Sequence, residues 1–112
     1  MNKVTYLGEL EQMLLWAVLR LGDDAYGLAV RDELEATAGR SVARGAVYTT
    51  LDRLVGKGYL DSRLADADET RAGRPRRYFS LTNDGLRALR EAREAFESLW
   101  TGLEGAVEEG TR

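Results

Sequence analysis

Apolar residues return at every third or fourth position over residues 7–21, so that Leu7, Leu10, Leu14, Ala17, Val18 and Leu21 share one face of a predicted helix. Met13, Leu15, Trp16 and Leu19 widen that stripe beyond what one packing partner needs. A helix covered on two sides is expected, in part by a second subunit; the other reading is the central helix of a monomer. Gly22-Asp23-Asp24 stops it and offers a cap to a second helix over residues 25–38, with Leu28, Ala29 and Leu34 inward and Gly39 closing it. Ser41 reads as the N-cap of a third helix over residues 42–57, whose Val47, Leu51 and Leu54 fall on one side before Gly56 and Gly58 end it.

The period then changes from helical to alternating. Leu60, Ser62 and Leu64 alternate with Asp61, Arg63 and Ala65, and Arg76, Tyr78 and Ser80 with Arg77, Phe79 and Leu81; the polar stretch 66–75 lies between them. This predicts a hairpin with a long loop, a wing. Thr82-Asn83-Asp84 caps a last helix in which Leu86, Leu89, Ala92, Phe96, Leu99, Leu103 and Ala106 step by three and four, a seam that wants a partner helix. The fold class expected is mainly α with a small β-hairpin: a winged helix-turn-helix over residues 1–82 followed by a long C-terminal dimerisation helix and tail over residues 83–112.

At 112 residues a second domain is not expected. The chain has no cysteine and no histidine, which removes His-based acid/base chemistry, Ser-His-Asp triads, nucleophilic Cys and the usual zinc ligands together. Neither an enzyme, a metal site nor a cofactor is expected. No apolar run approaches the roughly 20 residues that span a bilayer, and the Met1 end lacks a signal-peptide pattern, so the expectation is a cytoplasmic protein without a membrane partner. The net charge of −3 is unevenly divided: residues 40–77 carry nine basic and five acidic side chains, leaving the remainder at −7. Such sorting either gives a polyanion-facing surface on an acidic body or is ordinary patchiness.

Three segments carry a resemblance. The run Gly45-Ala46-Val47-Tyr48-Thr49-Thr50-Leu51-Asp52-Arg53-Leu54 with Gly58-Tyr59-Leu60 resembles the recognition helix of the PadR family of bacterial transcriptional regulators. Gly73-Arg74-Pro75-Arg76-Arg77-Tyr78-Phe79-Ser80-Leu81-Thr82 ending in Gly85 is similar to that family's second wing strand, and Tyr26-Gly27 fits its second helix. The resemblance covers nearly the whole chain and is to the short members, those with a single final helix. It implies a homodimeric repressor on a pseudo-palindromic site in double-stranded DNA, released by a small molecule. Ala46 and Thr49 depart from the family, which often has Ser and Pro there; one possible hydroxyl contact to DNA is lost and another gained.

If Val47, Leu51 and Leu54 face the core, Gly45, Thr49, Asp52 and Arg53 lie on the far side, flanked by Arg44 and Tyr48. That face can enter a major groove. Arg44 and Arg53 can donate to phosphate or guanine, Thr49 can touch a base edge, and Gly45 lets backbone come close. Tyr48 reads as a phosphate contact or as a packed ring, and Asp52 as an acceptor from cytosine or, preferred, as a group that orients Arg53. On the wing, Arg71, Arg74, Arg76 and Arg77 are expected at phosphate or in the minor groove. Tyr26 and Ser41 complete the expected DNA contacts.

Leu10, Met13, Leu89, Phe96, Leu99 and Leu103 are the expected dimer interface. Met13, Trp16, Phe96 and Trp100 are the candidate lining of a site for a small planar hydrophobic ligand. Some short PadR-type regulators are similar here, sandwiching planar compounds with a Trp that directly follows Phe-Glu-Ser. In this chain Leu99 follows Phe96-Glu97-Ser98, which turns the Trp100 ring by about 100° around the helix. The alternative function is a winged-helix dimer whose basic wing grips an acidic protein, since fold does not determine function.

Overall fold

Glu11 starts the first helix by reaching back: its Oε1 accepts from the Gly8 N–H at 2.7 Å and satisfies an N–H the helix itself leaves unpaired. The computed structural model describes residues 7–65 and 76–109. Its elements run α1 (Glu9–Leu21), a single 3-10 turn (Gly22–Asp24), α2 (Gly27–Ala38), α3 (Arg44–Gly56), β1 (Leu60–Leu64), β2 (Arg77–Leu81), α4 (Asn83–Trp100) and α5 (Glu104–Glu109). The mainly helical winged helix-turn-helix class expected from the sequence is the one observed. α1 is the central helix, packed against α2, α3, α4 and β2. Leu14, Leu15, Ala17 and Val18 sit in one core with Val30, Leu34, Val47, Leu51, Leu54, Leu60 and Phe79.

Two helix starts differ from the sequence expectation. α2 begins two residues later, at Gly27, because Tyr26 stays extended and bridges to Tyr78 of β2. Its inward residues are Gly27, Val30 and Leu34, spaced three and four apart, whereas Leu28, expected inward, is 41% exposed. For α3 the extended residue at the start is Ala43 rather than Ser41, whose hydroxyl donates to Glu35 Oε2 at 2.8 Å. Ser41 thus ties the turn back to α2.

The hairpin is antiparallel with Leu60 opposite Leu81 and Leu64 opposite Arg77. Phe79 plugs it into the core, and its N–H donates to the Ala25 carbonyl at 2.8 Å, tying the hairpin to the residues just before α2. Thr82 caps α4 as expected, accepting from the Gly85 N–H at 2.9 Å while its hydroxyl donates to the Gly58 carbonyl at 2.7 Å.

The single long C-terminal helix is corrected to two. α4 stops at Trp100, Thr101 is extended, and Gly102 adopts φ 89°, a left-handed backbone that glycine takes without steric cost, before the six-residue α5. Leu89, expected on a dimer seam, is 2% exposed and belongs to the chain's own core. Beyond it the apolar positions leave the protein body: Phe96 is 58%, Leu99 73% and Leu103 54% exposed.

Candidate nucleic-acid interface

The buried side of α3, formed by Val47, Thr50, Leu51 and Leu54, sets the rotation of the helix. Gly45, Thr49, Asp52 and Arg53 therefore face outward, with Arg44 exposed beside them. Thr50 is held inward because its hydroxyl donates to the Ala46 carbonyl at 2.7 Å. Nothing lies within 4 Å of where a side chain at Gly45 would stand, so the fold places no demand on that glycine and its backbone is open to approach. Arg53 is exposed and has no ion pair among the described residues.

Of the two readings of Tyr48, the structure supports the packed ring. It is half-buried and lies where a Cβ on Gly27 would be, while the Arg44 guanidinium stands 5.9 Å from its centroid. Asp52 does not orient Arg53. Its carboxylate accepts instead from Arg77 Nη1 on β2, a residue 25 positions later in the chain.

At the root of the hairpin, aromatic rings carry the arginines. Arg76 lies 4.1 Å from the Tyr26 centroid and Arg63 4.8 Å from that of Tyr78, while the two rings meet edge-on at 5.7 Å. Tyr26, expected at DNA, is thus half-buried in a stack that fastens the wing to α2. Arg63 and Tyr78 were missed as members of this cluster; the alternation of both strands placed them on the hairpin, but no local signal pairs Tyr78 with a residue 52 positions earlier. Arg71 and Arg74 lie outside the described residues.

The opposite end of α3 is anchored to α1. Lys57 Nζ donates to Glu11 Oε2 at 2.7 Å, with the Glu11 side chain 7% exposed. Burial pushes the Glu11 carboxyl up, but the hydrogen bonds from Lys57 and the Gly8 N–H, with the charges of Lys57 and Arg53, outweigh it and hold the group below its ordinary value.

Away from this surface, Leu10 and Met13 are half-buried against the chain's own core, and the Met13 sulfur accepts from Arg40 at 3.4 Å. Trp16 lines a shallow groove of ≈ 190 Å³ with Leu19, Leu86, Leu89, Arg90 and Arg93. Met13, Phe96 and Trp100 do not line it; Phe96 and Trp100 are exposed farther along α4.

A recognition helix presented on three helices, with a two-stranded wing beside it, defines a winged helix-turn-helix protein. The chain belongs to the transcriptional regulator PadR-like family, whose family model matches residues 15–91. It is similar to a PadR family transcriptional regulator from Eggerthella lenta DSM 2243, with 28% identity, 89% of this chain and 87% of that one covered, and a TM-score of 0.68. A PadR family transcription regulator from Clostridium difficile R20291 has 23% identity over 91% of this chain and 98% of that one, at a TM-score of 0.60. F93 from STIV, a winged-helix DNA-binding protein, shares the fold at 19% identity, 85% and 95% coverage and a TM-score of 0.68. No curated protein matches the chain. The protein is accordingly a regulator and not an enzyme. Among the described residues no group of three or more His, Cys, Asp or Glu could hold a metal ion, and no helix is long and apolar enough to cross a membrane.

Proposed function

We propose that the protein is a homodimeric repressor that binds a pseudo-palindromic operator and leaves it when a small planar hydrophobic molecule binds. The observation that carries the DNA reading is the outer face of α3, where Gly45, Thr49 and Arg53 stand exposed, Gly45 with open space around it and Arg53 without an ion pair among the described residues. Residues 1–82 act as the reading unit and residues 83–112 as the dimerising one. The exposed Phe96, Leu99 and Leu103 support a second copy, which would set two recognition helices into successive major grooves about 34–36 Å apart.

Salt-dependent binding to a duplex selected from a random library tests the reading, with Arg53→Ala as the diagnostic variant. A bidentate contact from Arg53 to guanine predicts a loss of about 1–3 kcal/mol at the selected site and little change on random sequence. Unchanged discrimination in Arg53→Ala removes this residue from the reading set. Absence of salt-dependent DNA binding in the wild type would point instead to an acidic protein partner.

The inducer part rests on the groove beside Trp16, which is apolar except for Arg90 and Arg93 and lies next to the surface a second copy would cover. Planar hydrophobic dyes are expected to quench tryptophan emission with a Kd of about 1 μM, about −8 kcal/mol, and to weaken operator binding. No quenching in the wild type rejects the pocket, and so does quenching that is undiminished in Trp16→Ala, because Trp16 lines the groove and Trp100 does not.

A further inference from the structure

Asp52 is an anion in the middle of the face that, on the reading above, meets a polyanion. Gly45 and Gly56 lie two turns before and one turn after it on the same side of α3, and Thr49 flanks it. Its partner Arg77 is the first residue of β2 and stands opposite Leu64, next to the Ala65 N–H to Arg76 carbonyl hydrogen bond of 2.7 Å. The Arg77 guanidinium also lies 4.9 Å from the Phe79 centroid, and Phe79 is 2% exposed in the core. Arg77 is therefore held at two points, on a buried ring and on the recognition helix. The other two described hairpin arginines, Arg63 and Arg76, lie against Tyr78 and Tyr26.

We propose that Asp52 is a specificity-determining positioning residue: by pairing with Arg77 it clamps the wing to the recognition helix and withdraws one wing cation from the phosphates. The inference rests on the DNA-binding reading. Its physics is a difference between two kinds of affinity. Each cation that neutralises a phosphate raises affinity for every sequence alike, so masking Arg77 lowers binding to random DNA. Fixing the wing at one angle to α3 acts the other way at the operator, where both must fit one duplex at once. The pair joins a half-buried arginine, 34% accessible, to an exposed carboxylate, 58% accessible, and such solvent-reached pairs contribute little to folding, so the effect should appear in DNA binding rather than in stability.

The test measures affinity against salt concentration on a random-sequence duplex and on a duplex selected by the wild-type protein, for D52N, R77Q and the double variant. In D52N the freed Arg77 should steepen the slope of log K against log salt on random DNA by about 0.9, raising affinity there about eightfold at 0.1 M salt. The ratio of selected-site to random affinity should fall. R77Q alone should leave the slope at its wild-type value, and R77Q added to D52N should restore it. Three results overturn the proposal: an unchanged slope in D52N, a steeper slope that survives in the double variant, or a flatter slope in R77Q alone. The second would mean that loss of the Asp52 charge itself strengthens binding; the third, that Arg77 already contacts phosphate. Wild-type protein that binds neither duplex overturns the DNA-binding reading and this one together, an outcome distinct from all three.

Discussion

Leu99→Asp is expected to convert a dimer into a folded monomer and to lower operator affinity by between about 10² and 10⁴-fold, the advantage that joining two half-site readers provides. The expectation follows from where Leu99 stands. It is 73% exposed, outside the core cluster, and so contributes almost nothing to the fold of its own chain. With Phe96, Trp100 and Leu103 it forms an apolar stretch that continues past Leu89, the last residue of α4 in the core. A stripe of this kind in water marks a surface that is covered by something, and on the homodimer proposed above a second copy would supply the same stripe in return. A charge at position 99 costs the monomer nothing and must be desolvated in the dimer. Size-exclusion chromatography with light scattering, followed by operator titration, checks both parts. A variant that stays dimeric with wild-type affinity would place the interface elsewhere.

Gly85→Ala should destabilise the fold by about 3 kcal/mol, the upper end of the range for overpacking a tight contact. A Cβ on Gly85 would stand on the Tyr59 carbonyl oxygen and 3.0 Å from its carbonyl carbon, atoms of a backbone that cannot turn aside like a flexible side chain. The same oxygen accepts from the Thr82 N–H at 3.1 Å, and Thr82 caps α4, so relieving the clash would pull α4 off its start. Against a typical total of about 5–15 kcal/mol, the loss is a large share of stability. Chemical denaturation read by circular dichroism measures it; a midpoint equal to that of the wild type would show that α4 can shift without cost.

Much of this architecture was legible in local patterns. Val47, Leu51 and Leu54 named the inner side of the recognition helix, and knowing that side also placed Gly45, Thr49 and Arg53 on the outside. The alternation around Leu60 and Phe79 placed both strands, and Thr82 with its following residues placed the start of α4. Each of these depends on neighbours within a few residues, where backbone geometry alone decides which side chains share a face. The errors have a common origin as well. Leu28 was assigned inward because it is apolar, yet the start of α2 is set by the bridge from Tyr26 to Tyr78, a contact between distant segments. Asp52 was assigned to its neighbour Arg53, whereas its partner is 25 residues away on another element. Leu89 and Leu99 sit in the same apolar series, yet the first is packed in the core and the second stands in solvent, a difference that depends on where α4 meets the rest of the protein.

By itself, then, the sequence determined the order of elements, the faces they bury and the family to which the chain belongs, because periodicity, caps and turn residues act over a few positions. The tertiary structure alone decided which carboxylate holds which arginine, which tyrosines stack at the wing root, and that the C-terminal helix breaks at Gly102. Any acidic side chain can pair with any basic one, and any ring with any cation. The choice is made by which side chains the packed core happens to bring within reach.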